Sequence, residues 1–303
     1  MLFKCFFFAC IQGDNCIYFN TLLLKYIFLW VRSNVLFLFV FIIIFFKKTN
    51  YVGVVVISFN PEIENLKNLV NQLLIYKNIL VYVVDNASSF NVDVGIQDER
   101  LKLIKLKENT GIAKAQNEGI EHALADQVEY VLFFDQDSTI PDNYLNDLLD
   151  DYISLQNQGI KVGAIGPRFI DERFGFYYKT VNMSKHGFRD KMDTSNITEP
   201  LHSSLLISSG SLIAIDTLKV VGNMRENYFI DYVDTEWCIR AEAMGYKNYV
   251  SSKAVMKHAI GDNILKFKYF NVPVHSPFRR YYRVRNAFYM AKESHVPTLL
   301  VLR

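Results

Sequence analysis

The string VLFFDQDST, residues 131–139, delivers two carboxylates, Asp135 and Asp137, at the end of an apolar run. Like charges one residue apart repel unless a cation or a proton intervenes. Mg²⁺ and Mn²⁺ are hard ions that prefer oxygen and are commonly shared between one or two carboxylates and substrate phosphates. The pattern therefore points to a metal-bound nucleotide diphosphate, although surface turns carry the same string. A second acidic cluster, Asp231, Asp234 and Glu236, opens the stretch NYFIDYVDTEWCIRAEAMGYK, residues 227–247. Ile230, Val233, Trp237, Ala241 and Met244 form an apolar stripe at helical spacing there. Acids in a first helical turn are favoured by the helix dipole. A carboxylate at a helix start that faces a cleft also suits a general base. Gly210, inside LISSGSLIAI (206–215), would let backbone approach a ligand closely or would mark a bulge. Arg279, Arg280, Arg283 and Arg285 lie among tyrosines in HSPFRRYYRVRN, residues 275–286. Arginines recognise phosphate oxygens bidentately, and they also snorkel from surface helices.

These groups need a scaffold, and the chain alternates strand and helix signals from Tyr51 onward. VGVVVISF (52–59) is a continuous β-branched run, as in a strand buried on both faces. Pro61 and Glu62 suit a first helical turn, and Ile63, Leu66, Leu69 and Leu73 continue it at helical spacing. Strands follow at 79–88, at 101–106 and at Glu129 to Asp137, with a turn at Asn109 to Gly111 and a helix between the last two. Pro141 opens the next helix, and VGAIGP (162–167) is a further strand. The pattern is an α/β domain with a largely parallel sheet flanked by helices. In such sheets ligands bind beyond the carboxyl ends of the strands. Those ends are polar here: Asn60, Asp85 with Asn86, and Asp135 with Asp137.

The composition excludes other classes. The chain is 50% hydrophobic and 21% charged, with a net charge of +2. That describes a folded protein with ample core and gives no general argument for nucleic acid. From Lys257 to Arg303 nine Lys or Arg face two acids, which suggests phosphate groups, an anionic membrane surface or a solvated face. Cys5, Cys10, Cys16 and Cys238 show no disulfide or zinc spacing. Residues 1–50 are a separate hydrophobic extension before a domain at 51–303. Val35 to Phe46 is apolar but helical for only about 18 Å, short of the roughly 30 Å hydrocarbon core. It reads as a weak membrane anchor, an interfacial segment or a misplaced start; as an anchor, Lys47 and Lys48 would place the domain in the cytoplasm.

Phosphatases of the haloacid dehalogenase type also use D-x-D-x-T after an apolar strand, and Asp135, Asp137 and Thr139 fit that string. There, however, the motif follows the first strand of the domain. In order along residues 52–290, the motifs VISFNPE, VVDNAS, NTGIAKAQNEGI, FFDQDS, GPR, SSGSLI, FIDYVDTEWCIRAEAMGY and HSPFRRYYRVRN resemble the bacterial rhamnosyltransferases of glycosyltransferase family 2. The resemblance implies a single GT-A catalytic domain, a Mg²⁺ or Mn²⁺ cofactor and inverting transfer of L-rhamnose from dTDP-L-rhamnose to a saccharide or lipid-linked saccharide. With the basic C-terminal stretch and Lys47 and Lys48, the expected place is the cytoplasmic face of the plasma membrane, peripheral or with one weak N-terminal membrane segment, and no nucleic-acid partner is expected. The resemblance implies a nucleotide pocket at Asn60 and Pro61, with Asp85 on the base and Asn109, Gly111 and Asn117 on the nucleotide side. Asp135 and Asp137 become the metal and donor pair, with Asp137 the direct ligand. Asp234 becomes the catalytic base, although Val233 stands where the family carries Glu. Glu236 would support the acceptor, and His258, Arg279 and Arg285 would flank the diphosphate and metal. Relatives also continue past VPTLLVLR. A UDP-hexose donor is the alternative within the class, and a non-catalytic sugar-binding relative a third reading.

Overall fold

The computed structural model describes residues 26–27, 40–41, 51–171, 174–258, 263–266, 271–274 and 276–301. The chain divides into two compact units, Met1–Asn50 and Tyr51–Arg303. In the first, Tyr26–Ile27 pairs antiparallel with Val40–Phe41; the reading of residues 1–50 as an anchor otherwise falls outside the described residues. Among the described residues no helix is long and apolar enough to cross a membrane.

The second unit is built on β1 (Val52–Ser58), α1 (Ile63–Leu74), β2 (Ile79–Asp85), β3 (Leu101–Lys105), α2 (Ile112–Ala125), β4 (Tyr130–Asp135), α3 (Tyr144–Asn157) and β5 (Val162–Asp171). Two short strands, β6 (Thr180–Met183) and β7 (Arg189–Met192), form an antiparallel hairpin. Then come β8 (Leu201–His202), β9 (Leu212–Ala214), α4 (Ile215–Val221), α5 (Val233–Ala243), β10 (Lys247–His258), β11 (Asn263–Lys266), β12 (Asn271–Val274), α6 (Pro277–Met290) and α7 (Thr298–Val301). The central sheet has eight strands in the order β8-β10-β5-β9-β4-β1-β2-β3. β3, β2, β1 and β4 are mutually parallel, and β10 is parallel to β5. β9 lies antiparallel between β4 and β5 and joins the two parallel groups.

The period-two alternation of β1 divides the core between two faces. Val52, Val54 and Val56 pack with α1 and α3, while Val55 and Ile57 pack with α2, α4 and α5. Both faces are therefore dry, which is why the parallel strands read as unbroken apolar runs. The expected strand at 206–215 shrinks to three residues, because residues 206–211 form a polar loop. The expected helix at 227–247 begins only at Val233. Phe229, Asp231 and Tyr232 adopt φ of 66°, 61° and 62°, which a right-handed helix does not allow. Asn286 fixes this bend: its Nδ2 donates to the carbonyls of Tyr228, Ile230 and Asp231 at 2.8–2.9 Å.

Candidate active site

At the carboxyl edge of the sheet, the ends of β1 and β2 are tied together. Asp85 Oδ1 accepts from the Ser88 hydroxyl at 2.5 Å and its backbone N–H at 3.1 Å. The Asn60 N–H donates to Ser88 Oγ at 2.8 Å, and Asn60 Oδ1 accepts from Ser89 N–H at 2.8 Å. Pro61, buried, follows directly. The other oxygen of Asp85 is buried with no partner, as is the Ser58 hydroxyl, and these residues are register partners on adjacent strands. A buried carboxylate oxygen without a donor is costly unless a ligand supplies one. Next to them, Asn109 Oδ1 accepts from the Gly111 N–H and from Asn86 Nδ2, both at 3.0 Å. Gly111, at φ 84°, brings the start of α2 against the Phe229 carbonyl, which accepts from the Ile112 N–H at 2.7 Å. A Cβ on Gly111 would stand 2.5 Å from that carbonyl oxygen.

β4 ends at Asp135, whose register partner on β1 is Ile57, so its side chain leaves the sheet on the α5 side. The Asp135 N–H donates to Ser209 Oγ at 3.1 Å. Between the two acids, Gln136 Oε1 accepts from the Phe59 N–H at 2.7 Å and ties β4 to β1. Burial first, then the negative charges of Asp137 and Asp234, push the Asp135 carboxyl up to about 6, against the pull of Arg279. Asp234, on the first turn of α5, is also raised by burial, while the N–H groups of Thr235 and Ser208 hold it down. Its Oδ1 accepts from the Thr235 N–H at 2.7 Å. Asp135, Asp137, Asp234 and Arg279 therefore share one electrostatic neighbourhood.

Arg279 grips Asp231 with two bonds, Nη2 to Oδ1 at 2.7 Å and Nε to Oδ2 at 3.2 Å. Asp231 precedes α5 rather than sharing a helical face with Asp234. On the flank of β4 away from Asp85, Arg168 of β5 stacks over the Tyr177 ring at 5.3 Å. Its Nη1 donates to the Ser195 carbonyl at 3.3 Å, and its buried Nε has no partner.

Five expectations change. Asn117 is buried, not open to a nucleotide: its amide donates to the Met224 carbonyl and accepts from the Met224 N–H, each at 2.9 Å, locking α2 to that loop. Gly210 makes its close approach to protein, since its carbonyl accepts from the Tyr144 hydroxyl at 2.6 Å and a Cβ would meet that hydroxyl. Glu236 is 0% exposed and supports no acceptor. It accepts from Arg225, Arg240 and His295 at 2.9 Å each, an ionic hub below the site. Arg285 donates to the Asn227 and Tyr228 carbonyls and stacks on Tyr282 at 4.5 Å, so it braces α6 instead of a diphosphate. The helix start moves as described, which takes Asp231 off α5. His258 ends β10, but its side chain lies outside the described residues. The sequence reading missed Gln136, Ser88 and Asn86 as the struts of the edge, and Arg168. All four sit inside quoted motifs, and Asn86 already stood out there as a polar strand end beside Asp85.

Among the described residues no group of three or more His, Cys, Asp or Glu encloses a metal. The site nevertheless fits one. Asp135 stands half-buried beside the carboxylates of Asp137 and Asp234, opposed by Arg279 among the described residues, an excess of negative charge that a divalent ion with open positions for phosphate and water would offset.

Residues 54–215 match the family described as Glycosyl transferase family 2. The dTDP-rhamnosyl transferase RfbF of Shigella flexneri is 42% identical over 250 residues, covering 82% of this chain and 82% of that protein. Among solved structures, GalNAc-T7 with UDP, GalNAc and Mn²⁺ superposes with a TM-score of 0.55 at 13% identity, over 80% of this chain and 50% of that one. TarS of S. aureus gives 0.51 at 16% identity, over 83% and 42%. The chain thus spans half or less of these two structures, and at such identities the likeness concerns the fold, a GT-A arrangement.

Proposed function

Because the chain belongs to glycosyl transferase family 2, we propose that it is an inverting transferase that moves L-rhamnose from dTDP-L-rhamnose to a hydroxyl of a saccharide or lipid-linked saccharide. The observation that carries this reading is the convergence of Asp135, Asp137 and Asp234 at one sheet edge, two strands from an unpartnered Asp85 oxygen. The free Asp85 oxygen and the neighbouring Ser58 hydroxyl offer an acceptor and a donor side by side, the complement of the N3–H and carbonyl of a thymine or uracil ring. The donor then lies along the β1–β2 flank. Asp137 and Asp135 would hold a divalent cation, Mg²⁺ or Mn²⁺. When bound, it would neutralise charge developing on the leaving diphosphate.

The acceptor approaches from the β5 flank, where Arg168 and the Tyr177 ring offer hydrogen bonding and stacking. Its hydroxyl gives its proton to Asp234 as its oxygen bonds to the anomeric carbon. The bond from that carbon to the diphosphate oxygen breaks, and the nucleoside diphosphate leaves from the opposite face of the sugar. Burial raises the affinity of Asp234 for a proton, which strengthens it as a base. Arg279, held by Asp231, sits close enough to Asp135 to place positive charge beside the leaving group.

The test is a panel of nucleotide sugars incubated with the purified protein and Mg²⁺ or Mn²⁺, reading nucleoside diphosphate release. Release from dTDP-L-rhamnose that stops in excess EDTA is expected. Preferential release from a UDP-hexose would overturn the donor assignment. The family match sets the phosphatase reading aside, and hydrolysis of a simple phosphate ester should be absent.

A further inference from the structure

The outer face of α6 is apolar and uncovered. Phe278, Tyr281, Val284 and Phe288 are 56%, 62%, 61% and 68% exposed. Steps of three, three and four residues set them in one stripe down the helix. The opposite face is anchored, with Asn286 and Met290 buried and Arg279 holding Asp231, while Arg285, on the stripe side, reaches back to the Asn227 and Tyr228 carbonyls. At about 100° per residue, Arg280 falls on one border of the stripe, and Lys292, in the turn after the helix, lies at its C-terminal end. Both are exposed, and neither is paired with an acid among the described residues. The helix itself, PFRRYYRVRNAFYM, contains four arginines and no acid.

Uncovered apolar side chains on a folded protein mark an interface. Here the apolar stripe is flanked by unpaired cations, and Glu293, the acid beside Lys292, is neutralised by Arg225 at 3.0 Å. That is the composition of a helix lying in the plane of an anionic lipid surface, rings in the headgroup layer and cations on the phosphates. A protein partner would be expected to bring acids of its own to match the cations, but nothing would then require four apolar residues in a row along a convex helix. We propose that α6 docks this protein on a membrane surface rich in anionic lipid. The proposal is independent of the donor sugar. Its consequence for the site is positional, because the inner face of the same helix carries Arg279 and fixes the 227–231 bend beside Asp234.

The experiment is flotation of the full chain with vesicles of phosphatidylcholine alone or with about one third phosphatidylglycerol, at low and high salt. Wild type should float with the anionic vesicles and much less with the neutral ones, and high salt should release it. Arg280→Ser with Lys292→Ser should weaken anionic binding by roughly thirtyfold. Tyr281→Ser with Val284→Ser and Phe288→Ser should weaken it on both vesicle types, with the melting temperature unchanged because these side chains are exposed. Nucleoside diphosphate release in solution should be unaffected in both variants. Wild type that ignores lipid charge, or an apolar-stripe variant that floats like wild type, overturns the proposal; the latter would assign binding to another part of the chain. A dimer seen by light scattering that the same substitutions dissociate would also overturn it, in favour of a second copy as occupant. If the apolar-stripe variant fails to fold, the charge variant alone decides, since loss of lipid discrimination is expected only from a docking role.

Discussion

At the scale of single residues, the site turns on where protons and negative charge reside. Asp234→Asn removes the base while keeping its shape, so acceptor-dependent turnover should fall roughly 10²- to 10⁴-fold. Donor affinity, measured by calorimetry, should change little. Asp231→Asn should cost less, since it frees Arg279 but leaves the base. A dead Asp231→Asn beside a nearly normal Asp234→Asn would reassign the base. Asp135 makes a second test possible. Its carboxyl is raised to about 6 in the folded protein, so the fold binds that proton more tightly than the unfolded chain does. The stability this gives is complete below about pH 4 and is lost as pH rises through about 6, by up to about 3 kcal/mol. In EDTA, the melting temperature of Asp135→Asn should therefore gain on wild type between pH 4 and 7. Mn²⁺ at pH 7 should stabilise wild type more than the variant. Parallel melting curves across that range would refute the charge excess.

At the scale of elements, what the sequence disclosed depended on whether local pattern or distant partners decided the outcome. β1, β2 and β4 were legible because burial on both faces demands continuous β-branched and aromatic runs, and their polar ends located the site. Helix α1 was legible from its spacing, with Leu66, Leu69, Val70 and Leu73 all buried. The β6–β7 hairpin was not, since no side chain in either strand is fully buried and no alternation is imposed. The start of α5 was misread because the decisive groups, the amide of Asn286 and its three carbonyl partners, are more than fifty residues apart. Glu236 is the same lesson: its partners Arg225 and His295 are 11 and 59 residues away, so three acids in six residues looked like chemistry when one was structural. Removing a charge from a buried, fully bonded ionic group is strongly destabilising. Glu236→Gln should lower unfolding free energy by about 3 kcal/mol in a denaturant titration, with acceptor KM unchanged in whatever folded protein remains. A variant of normal stability and poor acceptor KM would restore the acceptor role.

At the scale of the whole molecule, residues 51–303 contain every group assigned to donor, acceptor and base, and they form a compact unit separate from residues 1–50. A chain beginning at Tyr51 should fold, melt at the same temperature as the full chain and release nucleoside diphosphate at the same rate. Failure to fold would show that the N-terminal segment belongs to the catalytic domain.

The three-residue strand β9 also dictates an order of assembly. Leu212 must reach back some eighty residues to Leu132 before the two parallel groups of strands become one sheet. Loop closure of that span is slow, and pairings so distant in sequence form late in folding. Until then the β4 edge stands open, apolar on both faces and with its backbone N–H and C=O groups ready to pair with another chain. As the ribosome delivers the polypeptide, β1 through β4 emerge long before residues 212–214 exist. The strand that ends in Asp135 is therefore the last of β1, β2 and β4 to be sealed on both sides. Refolding yield should fall with protein concentration, because intermolecular pairing at β4 competes with the arrival of β9.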